Sequence, residues 1–230
     1  LSPNDVQAAL ASLAEGPPKK RRREPLPSRP LDPPAGRVVR ASLVLDLASL
    51  PVPARSRALL TGEPEGLTAV DAAVVRWAHA RVESLVRTLL SGDVRVVSYR
   101  PDAAALTGLG PGLTPTGDDL LVGLAAMARR LVGGGLVEAR AAVAFGTSLA
   151  GLPAGGTTPA AQKLLEGASR GTFPVVLADL VEALGSPNAE TGRLRTLTDR
   201  LTAIGAHSGA DLLAGALALV HGAVDSQVTE

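Results

Sequence analysis

The chain has 230 residues, 46% of them hydrophobic and 20% charged, with a net charge of +1. That is long enough for one substantial domain with a real apolar core, or for a small region joined to a larger one. The absence of Cys excludes a disulfide scaffold, cysteine-ligated zinc, iron–sulfur clusters and thiol catalysis, and two Phe, one Trp and one Tyr are too few for a base- or sugar-stacking surface.

Ser2 as N-cap, Pro3 in the first turn, and Val6, Leu10 and Leu13 on one side predict a short N-terminal helix. The basic run Lys19-Lys20-Arg21-Arg22-Arg23 is bracketed by prolines, and the stretch 16–34 reads as an exposed, solvated loop. It makes residues 1–100 basic and leaves 101–230 acidic. With no aromatic or further basic patch beside it, no nucleic-acid partner is expected. Residues 37–47 alternate and carry β-branched side chains, which predicts a strand ended by Pro51 and Pro53. Residues 68–90 predict a long helix whose apolar face holds Val70, Val74, Trp77, Val82, Leu85, Val86 and Leu89, with Ser91-Gly92 as its stop. His79 lies within it as a surface or partly buried polar group. Residues 93–99 predict a second strand.

From 101 the pattern changes. A Gly- and Pro-rich loop, 107–117, leads into an apolar helix at 118–131, and further helices follow at 136–149, 158–170, 174–184, 190–204 and 209–222 with no strand between them. The expected fold class is α+β. A mixed N-terminal region, 1–100, with a few strands and a long helix precedes a mostly helical domain, 101–230, that carries an internal pseudo-repeat. The longest uncharged stretch, 141–162, is too broken by Gly and Pro to span a lipid bilayer, and the N-terminus lacks a leader's charged-then-apolar order. A cytoplasmic protein with no membrane partner is expected.

The pseudo-repeat is the most informative feature. Thr116-Gly117-Asp118-Asp119-Leu120-Leu121-Val122-Gly123 is echoed 92 residues later by Ser208-Gly209-Ala210-Asp211-Leu212-Leu213-Ala214-Gly215. Each copy is a hydroxyl, a glycine, an acid three residues on, and an apolar helix with a glycine inside. One account is structural: hydroxyl and acid at this spacing make a capping box, with Thr116 and Ser208 near the N-caps. Yet Gly directly after a cap costs roughly 1 kcal/mol against Ala, and Asp is shorter than the Glu or Gln that the box favours. The first copy also adds Asp118 and the preceding glycines Gly108, Gly110 and Gly112.

The other account is a ligand site. Two helix N-termini favour an anion, and Mg²⁺ held by Asp118, Asp119 and Asp211 would offset their charge against a phosphate. His207, beside Ser208, is a candidate acid, base or oxyanion donor, whereas His221 needs no role beyond a helix C-terminus. Neither a nucleotide P-loop nor a dinucleotide fingerprint is present. Nor is there a nucleophile elbow, or a metal-binding histidine spacing such as H-x-x-x-H.

The phrase running from Leu109 through Gly123, with the later Gly205-Ala206-His207-Ser208-Gly209-Ala210-Asp211 element, resembles the signature of the bacterial AllH-like family, first known as a domain of unknown function. Thr116 stands where Ser is usual, and the basic stretch at 16–34 has no counterpart. The resemblance implies one subunit of oxamate carbamoyltransferase, in allantoin breakdown, working beside FdrA-like and AllG-like subunits, with a homo-oligomer as a further expected assembly. It also implies carbamoyl phosphate as a substrate. Gly108, Gly110, Gly112, Thr114, Thr116, Gly117, Ser208 and Gly209 would bind it. Asp118, Asp119 and Asp211 would hold a metal or position a nucleophilic nitrogen. Neither motif contains an Arg or Lys, so the cation that an oxyanion usually needs must come from elsewhere. The competing reading is a non-catalytic helical scaffold that docks partners, whose motif acids would bond only to their own helix N–H groups.

Overall fold

The computed structural model describes residues 26–31, 50–153, 155–186 and 189–225. The helix expected at the N-terminus, the basic run at 19–23 and the strand expected at 37–47 lie outside the described residues. In chain order the elements are β1 (Ser28–Pro30), α1 (Ala54–Thr61), α2 (Ala69–Leu90), α3 (Val96–Leu106), α4 (Thr116–Val132), α5 (Ala139–Ala150), α6 (Pro159–Ser169), β2 (Thr172–Pro174), α7 (Val175–Ala183), α8 (Thr191–Thr202) and α9 (Ser208–Asp225). The described residues are therefore mostly helical, with one small antiparallel sheet. Every helix expected after residue 101 is present, within a few residues of its expected ends.

Helices α4 and α9 form the centre. Almost all of α4 is buried, and α9 packs along it while also meeting α1, α2 and α8. Helices apolar on all sides belong inside a bundle, and the remaining helices supply that cover. One continuous core joins Leu59, Val75 and Leu85 from the first half to Leu121, Phe145, Leu177 and Leu217 from the second. Two glycines set how near the central pair approach. A Cβ on Gly123 would overlap the Leu212 carbonyl, and one on Gly215 would overlap the Leu120 carbonyl. Both positions lie seven residues into their helices, so the pair cross two turns from their starts. Gly123→Ala or Gly215→Ala should each cost roughly 3 kcal/mol, because the added methyl meets backbone rather than a side chain that can turn aside. Urea titration checks this, and a loss under about 0.5 kcal/mol would show that the helices can part freely.

Four expectations need correction. Residues 93–99 do not form a strand, and α3 starts at Val96 instead. Asp93 accepts the Arg95 backbone N–H at 2.8 Å and its own carbonyl accepts the Tyr99 hydroxyl, which turns the chain. Tyr99, Ala103 and Leu106 then fall on one buried helical face. On α2 the buried stripe at the start is Ala72, Val75 and Ala78. Val70 and Trp77 are 70% and 50% exposed, the latter lying under the Arg81 guanidinium at 4.5 Å. Small alanines, rather than the larger apolar residues, let α2 lie close to its neighbours.

The helical half also contains a strand, β2. It pairs with β1 in the register Arg29↔Phe173, and the Leu31 N–H bonds the Gly171 carbonyl at 2.9 Å. Residues 26–31 of the stretch 16–34 are thus integrated rather than loose. Leu31 is buried, and Arg29 pairs with Asp179 and Glu182 of α7.

Candidate functional site

The first residues of α4 and α9 come together. The Thr114 hydroxyl, just before α4, bonds that of Ser208 at 3.1 Å. Arg55 of α1 ties the two helices a second time: its Nε donates to Asp211 Oδ1 at 2.7 Å, and its Nη2 to Asp211 Oδ2 at 3.2 Å and Thr116 Oγ1 at 2.8 Å. Its Nη1 lies 3.5 Å from Asp71 of α2. The neighbouring Ser56 hydroxyl donates to the Ala210 carbonyl at 2.7 Å, which fixes α1 over the start of α9.

The three motif acids are all buried, and each is treated differently. Asp211 is neutralised by Arg55. Asp118 points toward the glycine-rich loop, where its Oδ2 accepts from the Gly108 N–H at 3.1 Å and the Thr157 hydroxyl at 2.6 Å. Burial raises its pKa above the ordinary value against those two bonds. Asp119 points toward α9. Neither of its oxygens has a hydrogen-bond partner in good geometry, although the Ser208 and Thr114 hydroxyls lie beside it. Burial pushes its pKa up to about 8; the nearby charges of Asp211 and Asp118 add to this, and the two hydroxyls oppose it. Asp119 is accordingly a neutral carboxyl near pH 7.

Thr116 and Ser208 each open a helix, as the repeat predicts, but neither Thr116 nor its helix uses a hydroxyl cap. The Pro115 carbonyl accepts the Asp118 and Asp119 N–H groups, and the His207 carbonyl accepts that of Asp211. The Gly117 N–H goes to the Leu109 carbonyl and that of Gly209 to the Ile204 carbonyl. These two glycines have a packing reason, since a Cβ on either would overlap the carbonyl of Leu106 or Leu201.

Gly108, Gly110 and Gly112 all have positive φ, from 74° to 110°, and shape the loop before Thr114. Gly110 backs onto Thr116, while Gly112 stands in open space. His207 is exposed; the Thr68 hydroxyl first, and then Arg55, hold Asp71 below the usual carboxylate range.

A Mg²⁺ ion fits this donor set poorly. Asp211 is taken by Arg55 and Asp118 by Gly108 and Thr157. Among the described residues no three His, Asp or Glu side chains stand close enough to hold a metal. Arg55 occupies the place where a metal's charge would otherwise serve.

Arg55, Asp71 and Thr157 carry no motif and went unsingled in the sequence. Arg55 lies 61 residues from Thr116 and 156 from Asp211. Thr157 has one faint signal: it precedes Thr158-Pro159, a helix start in which the Thr158 hydroxyl accepts from Ala161 and also bonds the Leu113 carbonyl.

A family model described as oxamate carbamoyltransferase subunit AllH matches residues 106–220, half of the chain. No curated protein and no solved structure matches it. Among the described residues no helix is long and apolar enough to cross a membrane.

Proposed function

The chain belongs to the AllH family, and we propose that it serves as a subunit of a carbamoyltransferase of the oxamate and carbamoyl phosphate type, contributing a small-ligand site where α4 and α9 begin. The observation that carries this reading is Arg55. It answers the lack of a cation in both motifs and joins them, through Thr116 and Asp211, at one point. Two helix starts add the equivalent of roughly half a positive charge each. The half-buried hydroxyls of Thr114 and Ser208 stand at the same two starts, and that of Thr116 is buried against Arg55. The acids repel an anion less than three charges would, because Asp211 is paired and Asp119 is neutral.

The matched pairs Gly123 with Leu212 and Gly215 with Leu120 support reading the two motifs as pseudo-symmetric halves of this site. Against a plain docking scaffold stands the fate of the acids. Asp118 bonds a loop, Asp211 bonds Arg55 and Asp119 lies beside the Ser208 and Thr114 hydroxyls, so none bonds only to its own helix N–H groups as the scaffold reading expects. In the transfer, carbamoyl phosphate or oxamate would lie with its anionic end toward Arg55 and the hydroxyls, which would steady the phosphate as it leaves. FdrA-like and AllG-like subunits would supply the rest of the catalytic machinery.

A thermal-shift series with phosphate, carbamoyl phosphate and oxamate tests the site. At least one of them should stabilise the chain, and Ser208→Ala should weaken that ligand about fivefold by removing one hydrogen bond. No shift with any of the three, or an identical affinity in Ser208→Ala, would overturn it.

A further inference from the structure

We propose that Asp119 is the residue of this site that recognises a primary amide, pairing edge to edge with the CO–NH₂ group of the ligand. This rests on the small-ligand site described above and assigns it a specificity. The observation is an unmet need: Asp119 is fully buried and neither carboxyl oxygen has a well-formed hydrogen bond, with only the Ser208 and Thr114 hydroxyls beside it, whereas Asp118 is bonded through Oδ2 and Asp211 through both oxygens. A buried polar group left alone is costly, and an apolar residue would fill the same space without that cost. A carboxyl kept there is one that something else completes.

The chemistry of the missing partner follows from the form of the group. Burial holds Asp119 neutral near pH 7, with Asp211 and Asp118 pressing in the same direction. A neutral carboxyl offers one O–H donor and one carbonyl acceptor on a single edge. A primary amide offers the reverse pair, so its carbonyl accepts the Asp119 O–H while its N–H donates to the Asp119 carbonyl oxygen. A carboxylate in the same place brings acceptors only and sets oxygen against oxygen on one side.

The surroundings suit such a ligand. The hydroxyls of Thr114 and Ser208, half-buried and bonded to each other, lie beside Asp119. Arg55, bonded to Asp211 and Thr116 at the same two helix starts, takes the anionic end. Oxamate carries a carboxylate at one end and a primary amide at the other, and a carbamoyl group presents the same CO–NH₂ edge.

The test compares oxamate with oxalate, its match in shape that lacks the amide, and uses inorganic phosphate as a third probe. Binding is measured calorimetrically on the full chain at pH 7, with Asp119→Asn and Asp119→Leu alongside wild type and melting curves to confirm folding. Oxamate should bind about ten- to a hundredfold more tightly than oxalate, the range expected for one unpaired buried group. Asp119→Asn, which keeps a donor and an acceptor on one edge, should retain that preference, and Asp119→Leu should abolish it. Equal binding of oxamate and oxalate by wild type, or a preference that survives in Asp119→Leu, overturns the assignment and leaves the small-ligand site standing. If none of the three probes binds, the site itself falls and this assignment with it.

Discussion

Replacing Arg55 with Met should destabilise the chain by roughly 3–5 kcal/mol, because it strands a buried carboxylate. Asp211 is 1% exposed and takes two of its hydrogen bonds from Arg55, at 2.7 and 3.2 Å. Water cannot replace them without opening the seam between α1 and α9. Lys at 55 should recover only part of the loss, since an ammonium cannot reach both Asp211 oxygens and Thr116 in the fixed fork of a guanidinium. Pairing Arg55→Met with Asp211→Leu removes both charges and should restore most of the stability, as replacement of a buried ion pair by apolar residues often does. Urea unfolding of the single and double variants checks this. A loss below about 1 kcal/mol for Arg55→Met would mean that Asp211 is hydrated.

Asp119 should make the protein less stable as pH rises. Its pKa is about 8 when folded against an ordinary 3.8, so between those values the folded chain holds a proton that the unfolded chain has released. Stability from this group is complete below pH 4, falls by about 1.4 kcal/mol per pH unit up to pH 8, and then levels. The whole change is on the order of 5 kcal/mol. Asp118, also raised, tilts the same way, whereas Asp71 and Asp93 lie below their ordinary values and act only below about pH 4. Asp119→Asn keeps the shape and removes the titration. Its gain over wild type should therefore grow steadily from pH 5 to pH 8. Melting temperatures across that range measure it, and a constant difference between the two proteins would refute the assignment.

The helices after residue 101 were legible because each carries its own start signal and apolar period. Thr158-Pro159 opens α6, and each copy of the repeat falls on the first residues of α4 or α9. Their meeting was legible from the likeness of the two copies. What escaped depended on contacts distant in sequence. Residues 93–99 alternate like a strand, yet Tyr99 is drawn inward to Phe145, 5.6 Å between ring centres, and that choice favours helix. Strand β2 is three residues long and exists through its pairing with β1.

The two acids of Asp118-Asp119 look alike in sequence but stand about 100° apart around a helix. One therefore accepts from a loop N–H and a threonine hydroxyl, and the other lies beside the Ser208 hydroxyl of α9 without a well-formed bond. Arg55 bears no mark of its role, because a long side chain reaching three elements leaves no period to read.

The origin of that arginine has a practical consequence for anyone cutting the chain down. The stretch that matches the family model begins at residue 106, whereas Arg55, Ser56 and Asp71 all come from before it. A fragment trimmed to 106–220 would keep both motifs and lose the counter-ion that one of them was folded around. Asp211 would be left without its guanidinium partner, and the part of α9 that α1 and α2 cover would be laid open. Likeness marks where the motifs lie. The unit whose charges balance is larger, because Arg55 and Asp71 lie before that boundary.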